Sequence, residues 1–160
     1  MIDKLRAWAR RHSEQDRYTP VGIAFHWIMA ALVLFQFGWG FYATSFLAVG
    51  GDKQLAFEVH SAAGLPILIL AIGRLAWRII IPAPEIDALG LQTRIADATH
   101  AVFYACFFGL PLSGWIMWSA VAAPGPLQLA GFIPWPQFPL SELELTTRWA
   151  IMDVAEDVHA

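Results

Sequence analysis

Five histidines carry most of the chemistry open to this 160-residue chain: His12, His26, His60, His100 and His159. His12 lies in a charged N-terminal stretch and reads as an ordinary solvated side chain. The other four fall in four separate apolar stretches. A titratable ring in such a segment is costly, and it marks a functional site by default. Imidazole is a strong iron ligand, and helices facing one another across a bundle can grip a flat porphyrin from both faces. Two axial histidines fill the iron's coordination sphere, which suits one-electron transfer and leaves no open position for a small molecule. Zinc is the rival metal, but a structural zinc site takes four ligands converging on one point. Proton relay, or plain hydrogen bonding between helices, is the remaining reading.

The elements that hold these rings are read from composition. Apolar residues make up 58% of the chain, charged residues only 14%, and mean hydropathy is +0.52. A soluble domain carries roughly 25% charged residues, enough to cover its surface. Eight tryptophans add a second membrane signal, because indole rings favour the bilayer interface. A net charge of −3 argues against a nucleic-acid binder, and the single Cys106 excludes both an internal disulfide and a CxxCH haem attachment. The length is that of one domain. No internal repeat or low-complexity segment is present.

No Asp, Glu, Lys or Arg occurs from Tyr18 to Gly51, well beyond the roughly 20 residues that cross the hydrocarbon. With Pro20 tolerated in the first turn, a first span is expected over 20–47. It is too long for the apolar core of a signal peptide. A second is expected over 55–81, where Arg74 and Arg78 can snorkel to extend a short charge-free core. A third is expected over 99–119. Beyond it, Pro124, Pro126, Pro134, Pro136 and Pro139 forbid a continuous helix. Residues 120–140 therefore read as an interfacial loop anchored by Trp135. A fourth helix starts near residue 145, with Asp153, Glu156 and Asp157 in its opening turns. The fold class expected is all-α, a transmembrane four-helix bundle whose fourth helix is largely missing from the chain as written.

Lys4, Arg6, Arg10, Arg11 and Arg17 precede span one, and Arg74, Arg78 and Arg94 flank the connection between spans two and three. Only Lys53 and Arg148 lie on the other side. Eight against two predicts a cytoplasmic N-terminus. On that frame His26 lies about 9 Å into span one from the cytoplasmic end, and His100 opens span three on the same side. His60 and His159 lie near the outer end. Gly64 follows His60 on the same helical face, where a porphyrin could approach the backbone. Gly38, Gly40, Gly109 and Gly114 allow the same, and close helix packing explains each equally well. Arg74 could pair with a haem propionate or a quinone head group, or merely snorkel.

These residues together resemble the bacterial cytochrome b561 family, di-haem membrane cytochromes related to the b subunits of nickel-iron hydrogenases. Arg17-Tyr18-Thr19-Pro20 followed by Phe25-His26-Trp27 resembles the family's R-Y-[ST]-P…H-W opening. His60, Gly64 and Arg74 look like its second helix. His100, Tyr104, Leu110-Pro111 and Gly114 look like its third. Gly131-Phe132-Ile133-Pro134 resembles the outer loop, and Glu156 with His159 the E-x-x-H start of helix four. The resemblance covers Arg17 to the end, so residues 1–19 read as a cytoplasmic tail and 20–160 as the cytochrome domain.

Depth alone would pair His26 with His100 and His60 with His159. The resemblance implies that the outer haem b joins His60 to His159, with iron as the metal bound. The inner haem would be held by His26 and a histidine late in helix four, a segment absent from the chain as written. His100 and Arg74 would then lie at the quinone region or the propionates. The function so implied is electron transfer in the bacterial inner membrane between a quinone pool, ubiquinone for instance, and a redox partner. Some family members oxidise superoxide at the outer face; others are subunits that drain a hydrogenase or another dehydrogenase. Five acidic residues from Glu142 to Asp157 are awkward for steering an anion, and only Lys53 and Arg148 offset them. A haem-free proton path would need more polar residues than Gln36, Thr44, Ser61 and Ser113.

Overall fold

The computed structural model describes residues 1–12, 18–81, 90–121 and 127–160, without the side chains of Arg10 and His12. Arg17, Pro124, Pro126 and the His12 ring thus lie outside the described residues. A short helix α1 (Ile2–His12) precedes three long ones, α2 (Pro20–Ser45), α3 (Gly51–Ile80) and α4 (Leu91–Ala120), and a further helix α5 (Leu145–His159). Neighbours in sequence pack on one another, α2 on α3, α3 on α4, and α4 on α5.

The start of α2 is set by Thr19. Its side-chain oxygen accepts from the Gly22 N–H at 3.2 Å, satisfying one of the free donors of the first turn. The same oxygen accepts from Trp77 Nε1–H at 3.1 Å, which ties this end of α2 to the far end of α3. Pro20 follows at a position whose N–H would have no helical acceptor in any case.

Residues 2–12, read from sequence within a charged tail, form a helix. Ile2, Leu5, Trp8 and Ala9 recur at helical spacing and make one apolar stripe. Ala9 is buried, Trp8 meets Trp77 edge-on at 6.4 Å, and Arg6 Nε donates to the Ile80 carbonyl at 2.9 Å. That bond serves a carbonyl in the last turn of α3, which has no donor within its own helix.

Helix α4 begins at Leu91, ahead of the charge-free stretch. Its 30 residues measure about 45 Å, more than the roughly 30 Å hydrocarbon layer. The turn carrying Arg94 and Asp97 therefore extends past the lipid. A core of Met29, Ile67, Ala71 and Phe107, flanked by Leu32, Val33, Leu70, Tyr104 and Phe108, joins α2, α3 and α4. Outward-facing Trp27, Leu34 and Phe37 are 67%, 73% and 78% exposed, an arrangement that is costly in water and suited to lipid. Helices α2, α3 and α4 are each long and apolar enough to cross a membrane. The fold is an all-α membrane helical bundle.

The connection from α4 to α5 is built on aromatic packing. Trp115 Nε1 donates to the Pro136 carbonyl at 2.8 Å, and the Trp115 ring lies 5.5 Å from Trp135 and 4.4 Å from Phe138. Trp135 thus packs inward on α4. A small antiparallel pair, β1 (Gln128–Leu129) with β2 (Ile133–Pro134), turns through Ala130 and Gly131, both at positive φ. The Ala130 N–H hooks this hairpin onto α3 at the Ala62 carbonyl.

Candidate functional site

Two of the four apolar-segment histidines meet. The rings of His60, on α3, and His159, in the last turn of α5, have centroids 5.9 Å apart and planes at 72°. Each is half-buried, and each rests against a glycine of another helix. A Cβ on Gly40 of α2 would lie 3.1 Å from His60 Cε1, and one on Gly114 of α4 would lie 3.0 Å from His159 Cε1. Both approaches are tighter than ordinary carbon contacts, so only glycine leaves the rings where they are.

The nitrogens of the two rings are held differently. His159 Nδ1 lies 3.0 Å from the Leu110 carbonyl and 3.0 Å from Ser113 Oγ. A carbonyl only accepts, so Nδ1 carries the proton and Nε2 keeps its lone pair. Ser113 itself donates to the Leu110 carbonyl at 2.8 Å, which leaves its lone pairs toward the histidine. Among the described residues, the buried His60 Nδ1 has no hydrogen-bond partner. Its residue is secured through the backbone, where Gln36 Nε2 donates to the His60 carbonyl at 2.8 Å. Sequence reasoning named Gln36 and Ser113 only as scarce polar residues. The usable signal was Gln36 four positions before Gly40, which puts both on one face of α2.

The remaining histidines lie apart. His26 is exposed, and its ring contact is with the adjacent Trp27. Among the described residues no aromatic contact joins it to His100. His100 is half-buried, and among the described residues its buried Nδ1 has no partner within hydrogen-bond geometry. One turn further along α4, Tyr104 has a buried hydroxyl that is likewise unpartnered. The Arg74 guanidinium lies over the Tyr104 ring at 5.6 Å and the Phe107 ring at 5.9 Å. It therefore sits on aromatic faces rather than extending freely. Of the glycines considered from sequence, Gly64 is also closely approached, by the Gln36 amide, whereas Gly38 and Gly109 face open space.

Residues 17–160 match the family model for prokaryotic cytochrome b561. The chain belongs to that family. Cytochrome b561 homolog 2 of Escherichia coli strain K12 is 29% identical over 111 residues, covering 68% of this chain and 59% of that relative. Cytochrome b562 of Cereibacter sphaeroides is 26% identical over 126 residues, covering 74% of this chain and 78% of the relative. The chain thus matches under two thirds of the Escherichia coli protein's length. Membership in the prokaryotic cytochrome b561 family, with three helices long and apolar enough to cross a membrane, makes it a multi-pass membrane protein, and haem b is the implied group.

The residues present fit that group. Among the described residues no three His, Cys, Asp or Glu side chains converge as a metal cluster, which a zinc site would need and a haem iron does not. The two imidazoles, with centroids 5.9 Å apart, are the residues that would hold the iron, and imidazole is an established haem ligand. In His159 the Nδ1–H is engaged by a carbonyl, the outer-shell bond that a ligating histidine makes almost always.

Proposed function

We propose that this cytochrome carries single electrons between a quinone and a redox partner, and that His60 and His159 would hold one b-type haem. The meeting of these two rings, with Nε2 of His159 left free by its bond to Leu110, is the observation that carries this reading. When bound, the haem supplies a one-electron iron couple. His60 and His159 hold it from α3 and α5, and Gly40 and Gly114 leave room for the rings. His26, at the other level of the bundle, is the ligand we assign to a second haem. The Lys and Arg distribution supports an inner-membrane protein with its N-terminus in the cytoplasm.

The quinone is assigned to the end of the bundle where Arg74, His100 and Tyr104 gather. Among the described residues the Tyr104 hydroxyl is a buried polar atom with no hydrogen-bond partner, and His100 Nδ1 has none within hydrogen-bond geometry; such groups are costly unless something satisfies them. A quinone offers two carbonyl acceptors to these donors and to Arg74, and ubiquinone is the head group we favour. At the outer end, the Arg148 guanidinium is engaged by the Ala120 carbonyl, and Lys53 lies over the Phe57 ring. Both keep their charge, but five acidic residues from Glu142 to Asp157 outnumber them and offer an anion such as superoxide little steering, so a redox protein is the donor we favour. A hydrogenase or another dehydrogenase is the kind of complex such a protein would come from.

The test is an oxidised and dithionite-reduced absorption spectrum of the haem-loaded protein, with haem counted per chain. His60→Ala and His159→Ala should each remove the same low-spin component, and His26→Ala should spare it. Identical spectra in wild type, His60→Ala and His159→Ala would reject the assignment.

A further inference from the structure

We propose that Gln36 is the positioning residue of His60. Its amide, moored to the His60 carbonyl, presents Oε1 as the acceptor for His60 Nδ1–H, directly or through one buried water, and so keeps Nε2 as the ligating nitrogen. This role rests on the reading of His60 as a haem ligand.

The orientation of the amide follows from its one bond. Gln36 Nε2 lies 2.8 Å from the His60 carbonyl. A carbonyl cannot donate, so the NH2 end must face it and Oε1 turns away. Oε1 is then buried with no partner among the described residues, and so is His60 Nδ1. Two buried polar atoms on residues already joined, one able to accept and one able to donate, are expensive to leave apart.

Helical register puts both on the same seam. Gly40 is one turn beyond Gln36 on the same face of α2. A Cβ at Gly40 would lie 3.4 Å from His60 Nδ1, so that nitrogen faces the Gln36–Gly40 stripe. On the other side, a Cβ at Gly64 would lie 2.6 Å from Gln36 Nε2. The amide is therefore packed against the backbone of α3. His159 supplies the contrast, since its Nδ1 already has the Leu110 carbonyl. Gln36 gives His60 the outer-shell acceptor that it otherwise lacks, and such an acceptor orients a ligand ring and raises its basicity.

The test uses the haem-loaded full chain and the haem component that His60→Ala removes. Its midpoint potential is measured by redox titration in wild type, Gln36→Met, Gln36→Ala and Gln36→Glu. A less basic ligand stabilises the oxidised iron less. Gln36→Met and Gln36→Ala, which lack an acceptor, should therefore raise the midpoint and weaken haem binding roughly ten- to a hundredfold. Gln36→Glu, of equal length, gives up the bond to the His60 carbonyl but brings a stronger acceptor to Nδ1–H, and should hold the midpoint at or below wild type. Loss of this haem in both acceptor-free variants, with retention in Gln36→Glu, supports the role as well. Unchanged midpoints in all three, or an equal rise in Gln36→Glu, overturn it while leaving His60 as ligand. A spectrum indifferent to His60→Ala overturns the haem-ligand reading, and this role with it.

Discussion

The backbone N–H of Ala130 donates to the Ala62 carbonyl at 3.0 Å, the acceptor that Pro66, four residues on, cannot serve. Pro66 lies inside α3 and brings no N–H to close the i to i−4 bond. A buried carbonyl left open is costly, and the outer hairpin supplies the missing donor from outside the helix. The contact lies two residues from His60, so it also fixes the stretch of α3 that presents that ring.

Ala130 makes this bond at φ +53°, a left-handed conformation that costs a residue with a Cβ about 1–2 kcal/mol. Ala130→Gly keeps the N–H and removes the strain, so it should stabilise the protein by about 0.5–1 kcal/mol after its greater unfolded-state entropy is counted. Ala130→Pro removes the donor and demands a φ near −65°, and should destabilise by about 2 kcal/mol or more. Thermal unfolding in detergent, followed by circular dichroism, checks the order. Equal midpoints for the two variants would mean that the hairpin is not held by this bond.

The glycine contacts separate residues that look alike in sequence. Gly40→Ala and Gly114→Ala each drive a Cβ to about 3 Å from a histidine ring carbon. Overpacking of this kind costs roughly 1–3 kcal/mol, about ten- to a hundredfold in haem affinity. Gly38→Ala and Gly109→Ala meet nothing within 4 Å and should bind haem as wild type does. Haem titration of the four variants is the check. Equal affinity across them would mean that the rings move aside freely.

Arg148 closes α4. Its Nε and Nη2 donate to the Ala120 carbonyl at 3.2 and 2.7 Å, at the end of the helix where a cation is favoured by the backbone dipole. Arg148→Ala should cost about 1–2 kcal/mol, the worth of a charged hydrogen bond discounted for partial exposure. Arg148→Lys should recover only part, since a single ammonium replaces a two-pronged fork. Chemical unfolding of the three proteins measures both steps. A lysine variant as stable as wild type would show that charge alone matters.

The three long spans were legible in sequence because they are local signals, runs of apolar residues long enough to cross a bilayer. Depth placed His60 opposite His159, and those rings do meet, but it also paired His26 with His100, for which the described residues show no ring contact. What stayed hidden depends on rotation and on long-range pairing. The charge count treated Arg148 as a free outer cation, because nothing local says that its guanidinium reaches Ala120. The N-terminal residues looked like a tail because charge outweighs the Ile2, Leu5, Trp8, Ala9 stripe in so short a segment. The role of Ser113 was invisible because its partner, His159, comes from a helix 46 positions away.

Arg74 offers the sharpest check on the quinone end. Its guanidinium is held over the rings of Tyr104 and Phe107, and such contacts are worth about 0.5–1 kcal/mol at accessible sites. The planar group is thereby pre-oriented to present its N–H edges to a quinone carbonyl. Arg74→Gln removes a charged donor, which contributes roughly 1.5–3 kcal/mol to a hydrogen bond, so the KM for a soluble quinone analogue should rise at least about tenfold. Arg74→Lys keeps the charge but not the flat face, and should fall between the two. In both variants the haem component that depends on His60 should keep its wild-type spectrum, because Arg74 lies in the half of α3 toward its C-terminus, away from that ring. An unchanged KM in Arg74→Gln with an intact spectrum would move the quinone elsewhere in the bundle. A changed spectrum would mean instead that Arg74 acts on the haem.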